Sequence, residues 1–295
     1  MTLDFKSIDD LQIQLREHHY IADRELATAL FLAVKLNRPI FLEGEAGVGK
    51  TEVAKVLAAI SNTQLIRLQC YEGLDVHHAI YEWNFSRQML HIRLQESQGG
   101  SLEEHQLFGA DFLLARPLLQ ALQSPTKPIL LIDEIDRSDS EFEAFLLEIL
   151  SDFQVTIPEI GTIKANEPPI VVITSNRTRE LHDALKRRCI YHWIDYPTPT
   201  KELEIILSKV PDAPQNLAKQ ITAFMHLLRQ ENLFKLPGVA ESLDWINALI
   251  ALDQHELSLA VINDTLGVVL KNHEDSKMVH GDMAGEIFAQ VISGD

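Results

Sequence analysis

The chain has 295 residues, 26 basic against 43 acidic side chains, a formal charge of −17, and 46% hydrophobic content. That length and apolar fraction support a sizeable core and suggest two domains rather than one. So acidic a balance argues against a DNA or RNA backbone as the main partner, because phosphate contacts need clustered Lys and Arg.

The opening MTLDFKSIDDLQIQL is acidic early and holds no uninterrupted apolar stretch, so no signal peptide is expected. The longest apolar runs, such as PILLI, are far short of a membrane span, and a soluble, cytoplasmic protein is the expectation. Cys70 and Cys189 have no second Cys at metal spacing and read as two small buried side chains in a reducing compartment.

In chain order, RPIFLEG (Arg38–Gly44) reads as a buried strand and TEVAKVLAAI as a helix, with QLIRLQC (Gln64–Cys70) the next strand. AIYEWNFSRQMLHIRL (Ala79–Leu94) alternates around a turn-prone NFSR and is expected to form a hairpin; Trp83 in it is a partner anchor or simple packing. PILLIDE (Pro128–Glu134) is a third strand, and SEFEAFLLEILSDF a helix whose Phe142, Phe145, Leu146 and Ile149 belong to the core. FQVTIPEIGTIKA (Phe153–Ala165) reads as a second hairpin, and PPIVVITSN (Pro168–Asn176) and CIYHWIDY (Cys189–Tyr196) as further strands. YPTPT then punctuates the chain, and everything beyond it has helical spacing. The order implies an α/β domain over residues 1–198, a P-loop parallel sheet with two hairpin insertions, and an all-α domain over 199–295.

GEAGVGKT, from Gly44 through Glu45, Ala46, Gly47, Val48, Gly49 and Lys50 to Thr51, fits the P-loop spacing and sits between a strand and a helix. Its glycines let backbone N–H groups curl around phosphate oxygens, and the helix start adds partial positive charge. Lys50 is expected to reach the β- and γ-phosphates of ATP, and the Thr51 hydroxyl to ligate Mg²⁺. Asp133 and Glu134 end an apolar strand: the first is expected to hold Mg²⁺ through its water shell, the second to polarise the attacking water as a general base. A capping pair for the next helix is the plain alternative. Asn176 is either a turn or N-cap residue or an amide that hydrogen-bonds both the γ-phosphate and the water. Arg187 and Arg188 in DALKRRCIYHWIDYP are either cations at a helix C-terminus or guanidinia meant for phosphate oxygens.

These motifs in this order resemble the AAA+ ATPases. GEAGVGKTEVAKVLA, LIDEIDRSDSEFEAFLLEIL, FQVTIPEIGTI and TSNRTRELHDALKRRCIYHWIDYP resemble the MoxR branch, and most of all its CoxD-type members associated with carbon monoxide dehydrogenase maturation. The likeness runs from about Ile40 to Pro197 and weakly into the helical remainder. It implies a wedge-shaped α/β domain with a helical lid, a homo-oligomeric ring, often hexameric, and two insertions facing the pore or a partner. It also implies that Arg188 crosses to the neighbouring subunit's nucleotide, with Arg187 as support or alternative, and that Tyr20 and Ile21 line the adenine pocket. By the same resemblance the client is a metalloenzyme awaiting cofactor insertion, with a von Willebrand A-domain protein as adaptor. One departure stands out: no Arg or Lys occurs between Lys235 and Lys271, and LPGVAESLDW offers Glu241 where relatives carry a lid arginine, Arg229 being poorly placed to replace it. A nucleic-acid motor on the same core and a nucleotide-gated scaffold that scarcely hydrolyses ATP are the alternative functions.

Overall fold

The computed structural model describes residues 5–97 and 107–293. In chain order the elements are α1 (Ile8–Glu17), α2 (Arg24–Leu36), β1 (Ile40–Gly44), α3 (Lys50–Ser61), β2 (Leu65–Gln69), α4 (Val76–Ile80), β3 (Tyr81–Trp83) and α5 (Phe85–Ser97). They continue with β4 (Leu113–Ala115), α6 (Pro117–Gln123), β5 (Ile129–Asp133), α7 (Ser140–Asp152), β6 (Gln154–Ile157), β7 (Gly161–Lys164), β8 (Ile170–Ser175), α8 (Asp183–Arg188) and β9 (Ile190–Ile194). Helices then follow without a strand: α9 (Pro199–Lys209), α10 (Gln215–Leu228), α11 (Val239–Ala251), α12 (Leu259–Val269), α13 (His273–Val279) and α14 (Asp282–Ser293).

The main sheet has the order β2-β5-β8-β1-β9. Strands β1, β5 and β8 are buried at every residue, which is why they read as unbroken apolar runs and why helices must cover both faces. Parallel pairing sets Gln69 beside Asp133, Ile132 beside Ile173 and Glu43 beside Ser175, so the polar residues that end these strands share one edge. In open parallel sheets that carboxyl edge is where ligands bind.

The stretch Ala79–Leu94 is not a hairpin. Asn84 accepts a hydrogen bond from the Arg87 amide (3.0 Å) and starts helix α5. An N-cap followed by Gln, Met, Leu and Arg, all good helix formers, outcompetes the turn that NFSR suggested. Strand β3 pairs instead with the distant β4, antiparallel. Trp83 packs edge-on to Phe108 (ring centroids 5.2 Å apart) and against the core. The second insertion is a hairpin: β6 and β7 pair antiparallel from Gln154–Lys164 to Ile157–Gly161, and Gly161 takes the positive φ its turn requires.

Two compact units result. One comprises Met1–Leu11, Arg24–Glu43 and Val53–His192; the other Gln12–Asp23, Gly44–Glu52 and Trp193–Asp295. The first is built on Phe41, Leu68, Leu119, Ile132, Phe142 and Ile173, with Leu146, Ile149, Cys70 and Cys189 in the same core. Both cysteines are free and buried, and burial is the main cause that pushes each thiol up to about 12. The second unit closes around Leu217, Ile221, Phe224, Trp245, Leu249 and Leu266. The Trp245 indole there donates to Thr265 Oγ1 at 2.8 Å, and Arg229 pairs with the fully buried Glu202 at 2.6 and 2.8 Å. Among the described residues, no helix is long and apolar enough to cross a membrane.

Candidate functional site

The phosphate loop lies in the second unit and is shaped by close backbone contacts. A Cβ on Gly44 would stand 2.2 Å from the Ile194 carbonyl oxygen, so no side chain fits. Gly47 (φ +77°) turns the loop back on itself. Helix α3 begins at Lys50, and the first N–H groups of a helix have no intrahelical partner, which suits them to an anion. The Lys50 side chain is buried, and Nζ donates to the carbonyls of Gly44 (2.8 Å) and Glu45 (2.6 Å), inside the curl of the loop. The Tyr20 ring edge lies 3.8 Å from where a Gly49 Cβ would be, next to the half-buried Ile21. Burial, with Asp23 and Glu52 adding to it, raises the Tyr20 phenol above its ordinary range, so the ring stays neutral.

The first unit holds the carboxylates. Asp133 is 2% exposed; its Oδ1 accepts from Thr174 Oγ1 (2.5 Å) and its Oδ2 from Arg67 (3.0 and 2.5 Å). Glu134 has a left-handed backbone (φ +54°), uncommon for a side chain with a Cβ, and its amide donates to Thr174 Oγ1 at 2.9 Å. Its carboxylate accepts from the Asn176 amide (3.3 Å) and the Gln69 amide (3.1 Å), and Arg137 pairs with it at 3.0 Å. Glu134 and Asn176 are thus brought into contact from the ends of adjacent strands. Glu134 stands at the N-cap position of a short 3-10 turn, Ile135–Arg137, but its side chain makes no capping hydrogen bond; α7 is capped by Asp139, and α8 starts at Asp183 after His182.

Asn176 is itself held by a residue the motifs did not single out. Asp136, 3% exposed, accepts from the amides of Asn176 (3.2 Å) and Thr178 (2.9 Å) and from the Thr178 hydroxyl (2.7 Å). Burial opposes its ionisation, but these hydrogen bonds outweigh it and hold the carboxyl below the usual carboxylate range. Gln69 and Thr174 were legible as the polar residues at the ends of apolar strands, had strand periodicity been carried into the third dimension.

Arg187 and Arg188 are both exposed, on the last turn of α8. Arg188 Nη1 donates to the Leu147 carbonyl on α7 at 2.9 Å. The carbonyls at the end of α8 are taken by a third arginine: Arg38 donates to those of Arg187 (2.7 Å) and Arg188 (3.1 Å).

With this geometry established, comparison with known proteins is decisive on one point: the family model for the AAA domain (dynein-related subfamily) matches residues 39–189. The chain belongs to that family. A Staphylococcus haemolyticus protein described as uncharacterized is 28% identical over 77% of this chain and 80% of its own length. One from Staphylococcus epidermidis, described in the same way, is 26% identical over 86% and 90%. Among solved structures, two point mutants of Thermotoga maritima RuvB superpose with TM-scores of 0.51 and 0.50. Each is 19% identical and covers 92% of this chain, with 75% and 74% of the RuvB chains covered. Identity that low shows the fold alone.

In this AAA protein the helical region approaches the phosphate loop with an acid rather than a base. The Ala240 amide at the start of α11 donates to the Gly47 carbonyl at 3.2 Å. Glu241 Oε2 accepts from the Gly238 amide (2.8 Å) and would lie 3.0 Å from a Cβ on Gly47. Arg229 is committed elsewhere, to Glu202, to the Pro237 carbonyl (2.7 Å) and to the face of Tyr196 (5.1 Å). Within the second unit, a glycine cradle closed to side chains and a buried Lys at a helix start suit the phosphates of a nucleotide; within the first, a buried carboxylate at a strand end has the chemistry of a Mg²⁺ ligand.

Proposed function

We propose that this AAA protein is a Mg²⁺-dependent ATPase that reshapes a client protein. The observation that carries the reading is Glu134, locked in a left-handed turn directly after Asp133 and hydrogen-bonded to the Asn176 amide. That is the placement expected of a base whose water is shared with a residue that senses the phosphate.

In this reading the backbone of Gly44–Thr51 and the Lys50 ammonium bind the phosphates of ATP, and Tyr20 and Ile21 lie against the base. Thr51 and Asp133 would hold Mg²⁺, the carboxylate through the ion's water shell; the bound ion neutralises charge on the phosphoryl oxygens. Glu134 orients a water and takes its proton as the oxygen bonds to the γ-phosphorus. ADP leaves as the P–O bond to it breaks. Asn176 donates to the attacked phosphate. Arg188 of one subunit, assisted by Arg187, offsets the transition-state charge on its neighbour's nucleotide, so the working form is a homo-oligomeric ring, a hexamer by resemblance.

The finer assignment rests on the loops that resemble CoxD-type members of the MoxR branch. It makes the client a metalloenzyme awaiting cofactor insertion, reached through a von Willebrand A-domain adaptor, with residues 1–198 as the motor and 199–295 as its lid. Glu241 in place of a lid cation favours a second reading, a scaffold that binds ATP and scarcely turns over. Steady-state phosphate release separates the two. Turnover that falls at least a hundredfold in Glu134→Gln, with ATP binding retained, supports the ATPase; equal rates in both proteins overturn Glu134 as the base. Retention of a metalloenzyme precursor by Glu134→Gln with ATP supports the client class, and retention of nucleic acid alone overturns it.

A further inference from the structure

Strand β1 is fastened to helix α8 at both of its ends. Ahead of the strand, the Arg38 guanidinium spans the carbonyls of Arg187 (2.7 Å), Arg188 (3.1 Å) and Cys189 (3.5 Å). At the far end Glu43, 4% exposed, accepts from the Tyr191 hydroxyl at 2.9 Å and pairs with Lys186 Nζ at 3.5 Å. Between them Phe41 lies under the Lys186 ammonium (5.7 Å) and against the Tyr191 ring (5.8 Å).

Two consequences follow from the chemistry. The carbonyls that end a helix attract cations, and in α8 Arg38 satisfies them, so Arg187 and Arg188 stay exposed and Arg188 spends one donor, Nη1, on the Leu147 carbonyl rather than on its own helix end. Glu43 also immediately precedes Gly44, the first residue of the phosphate loop, so the carboxylate that holds Lys186 sits on the same short segment as the loop. The Tyr191 bond to this buried carboxylate is charge-assisted and directional, and the Lys186 ammonium at 3.5 Å adds a longer ion pair from α8.

We propose that Arg38 and Glu43 are positioning residues that fix the helix presenting Arg188, so that the strand feeding one subunit's phosphate loop also sets the arginine it lends to the next. This rests on the reading of Arg188 as an arginine acting in trans. Neither residue touches the nucleotide in this scheme; each acts through α8.

Mixed oligomers test it. An Arg38→Ala chain keeps its own Lys50, Asp133 and Glu134, so it should cleave ATP when a neighbour supplies a sound arginine, yet be a poor donor itself. Mixed with Lys50→Ala, whose arginine is intact, it should recover at least fivefold over Arg38→Ala alone. Mixed with Arg188→Ala it should recover nothing. Glu43→Gln, which keeps an acceptor for Tyr191 but loses the charge on Lys186, should show the same pattern more weakly, and it stands in if Arg38→Ala fails to assemble. Recovery with Arg188→Ala overturns the proposal, as does failure with Lys50→Ala in co-assembled chains that still bind ATP. Full turnover by Arg188→Ala alone, or no complementation between Lys50→Ala and Arg188→Ala, is a separate result that removes the trans-arginine reading and this inference with it.

Discussion

The phosphate loop and the carboxylate edge handle charge in opposite ways. Around Gly44–Thr51 the shaping is done by backbone: carbonyls receive Lys50, and the α11 backbone packs against Gly47. Around Asp133, Glu134 and Asn176 it is done by side chains, with Thr174, Gln69, Arg67 and Asp136 each supplying a hydrogen bond to one of them. A site made of backbone is broken by adding atoms; one made of side chains is broken by removing them.

The largest effect expected is on the loop's single basic side chain. Lys50→Ala should weaken ATP binding more than a hundredfold by calorimetry, and near-normal affinity would deny that the loop is the phosphate site. Next comes Gly238→Ala: a Cβ there would meet the Ala46 carbonyl oxygen at 2.7 Å and Gly47 Cα at 2.8 Å. Overpacking of this kind costs roughly 1–3 kcal/mol, so the melting temperature should fall along with nucleotide affinity. An unchanged pair of values would mean that the loop is not limited by steric fit.

On the side-chain edge, Asp136→Ala removes the acceptor of the part-buried Asn176 and Thr178 amides, at about 1 kcal/mol, and should lower kcat more than KM. Its pH dependence has a definite sign. Because the folded carboxyl is held below its unfolded value of about 3.9, its stabilising contribution is complete above that value. It is lost as pH falls through the lowered folded value. Wild type and Asp136→Ala should therefore converge in stability on acidification; a gap that does not narrow as pH falls below the unfolded value would contradict the assignment.

Much of this was legible beforehand, and the exceptions have physical causes. Apolar runs marked β1, β5 and β8, because strands buried on both faces leave no ambiguity of period, while the half-exposed β2 and β9 showed as shorter alternating segments. The P-loop spacing located a turn that only glycines can make. The first insertion was misread because Asn84 looks alike as a turn residue and as a helix cap, and its true strand partner Leu113–Ala115 lies far along the chain. Asp136 escaped notice because its role is to hold two backbone amides from β8's far side, a contact that no local pattern encodes. Arg38 was hidden for the same reason: its three acceptors are about 150 positions away, and only the adjacency of β1 and β9 brings them close.

The left-handed backbone at Glu134 has a thermodynamic consequence. Glutamate is poorly suited to that conformation, whereas asparagine visits it readily, at a difference of about 1 kcal/mol or less. Glu134→Asn and Glu134→Gln both replace the acid by a neutral amide, yet the shorter one should melt at the higher temperature. If it does, the fold is surrendering resilience at the residue assigned to activate water, and selection for heat tolerance alone would erase that residue first.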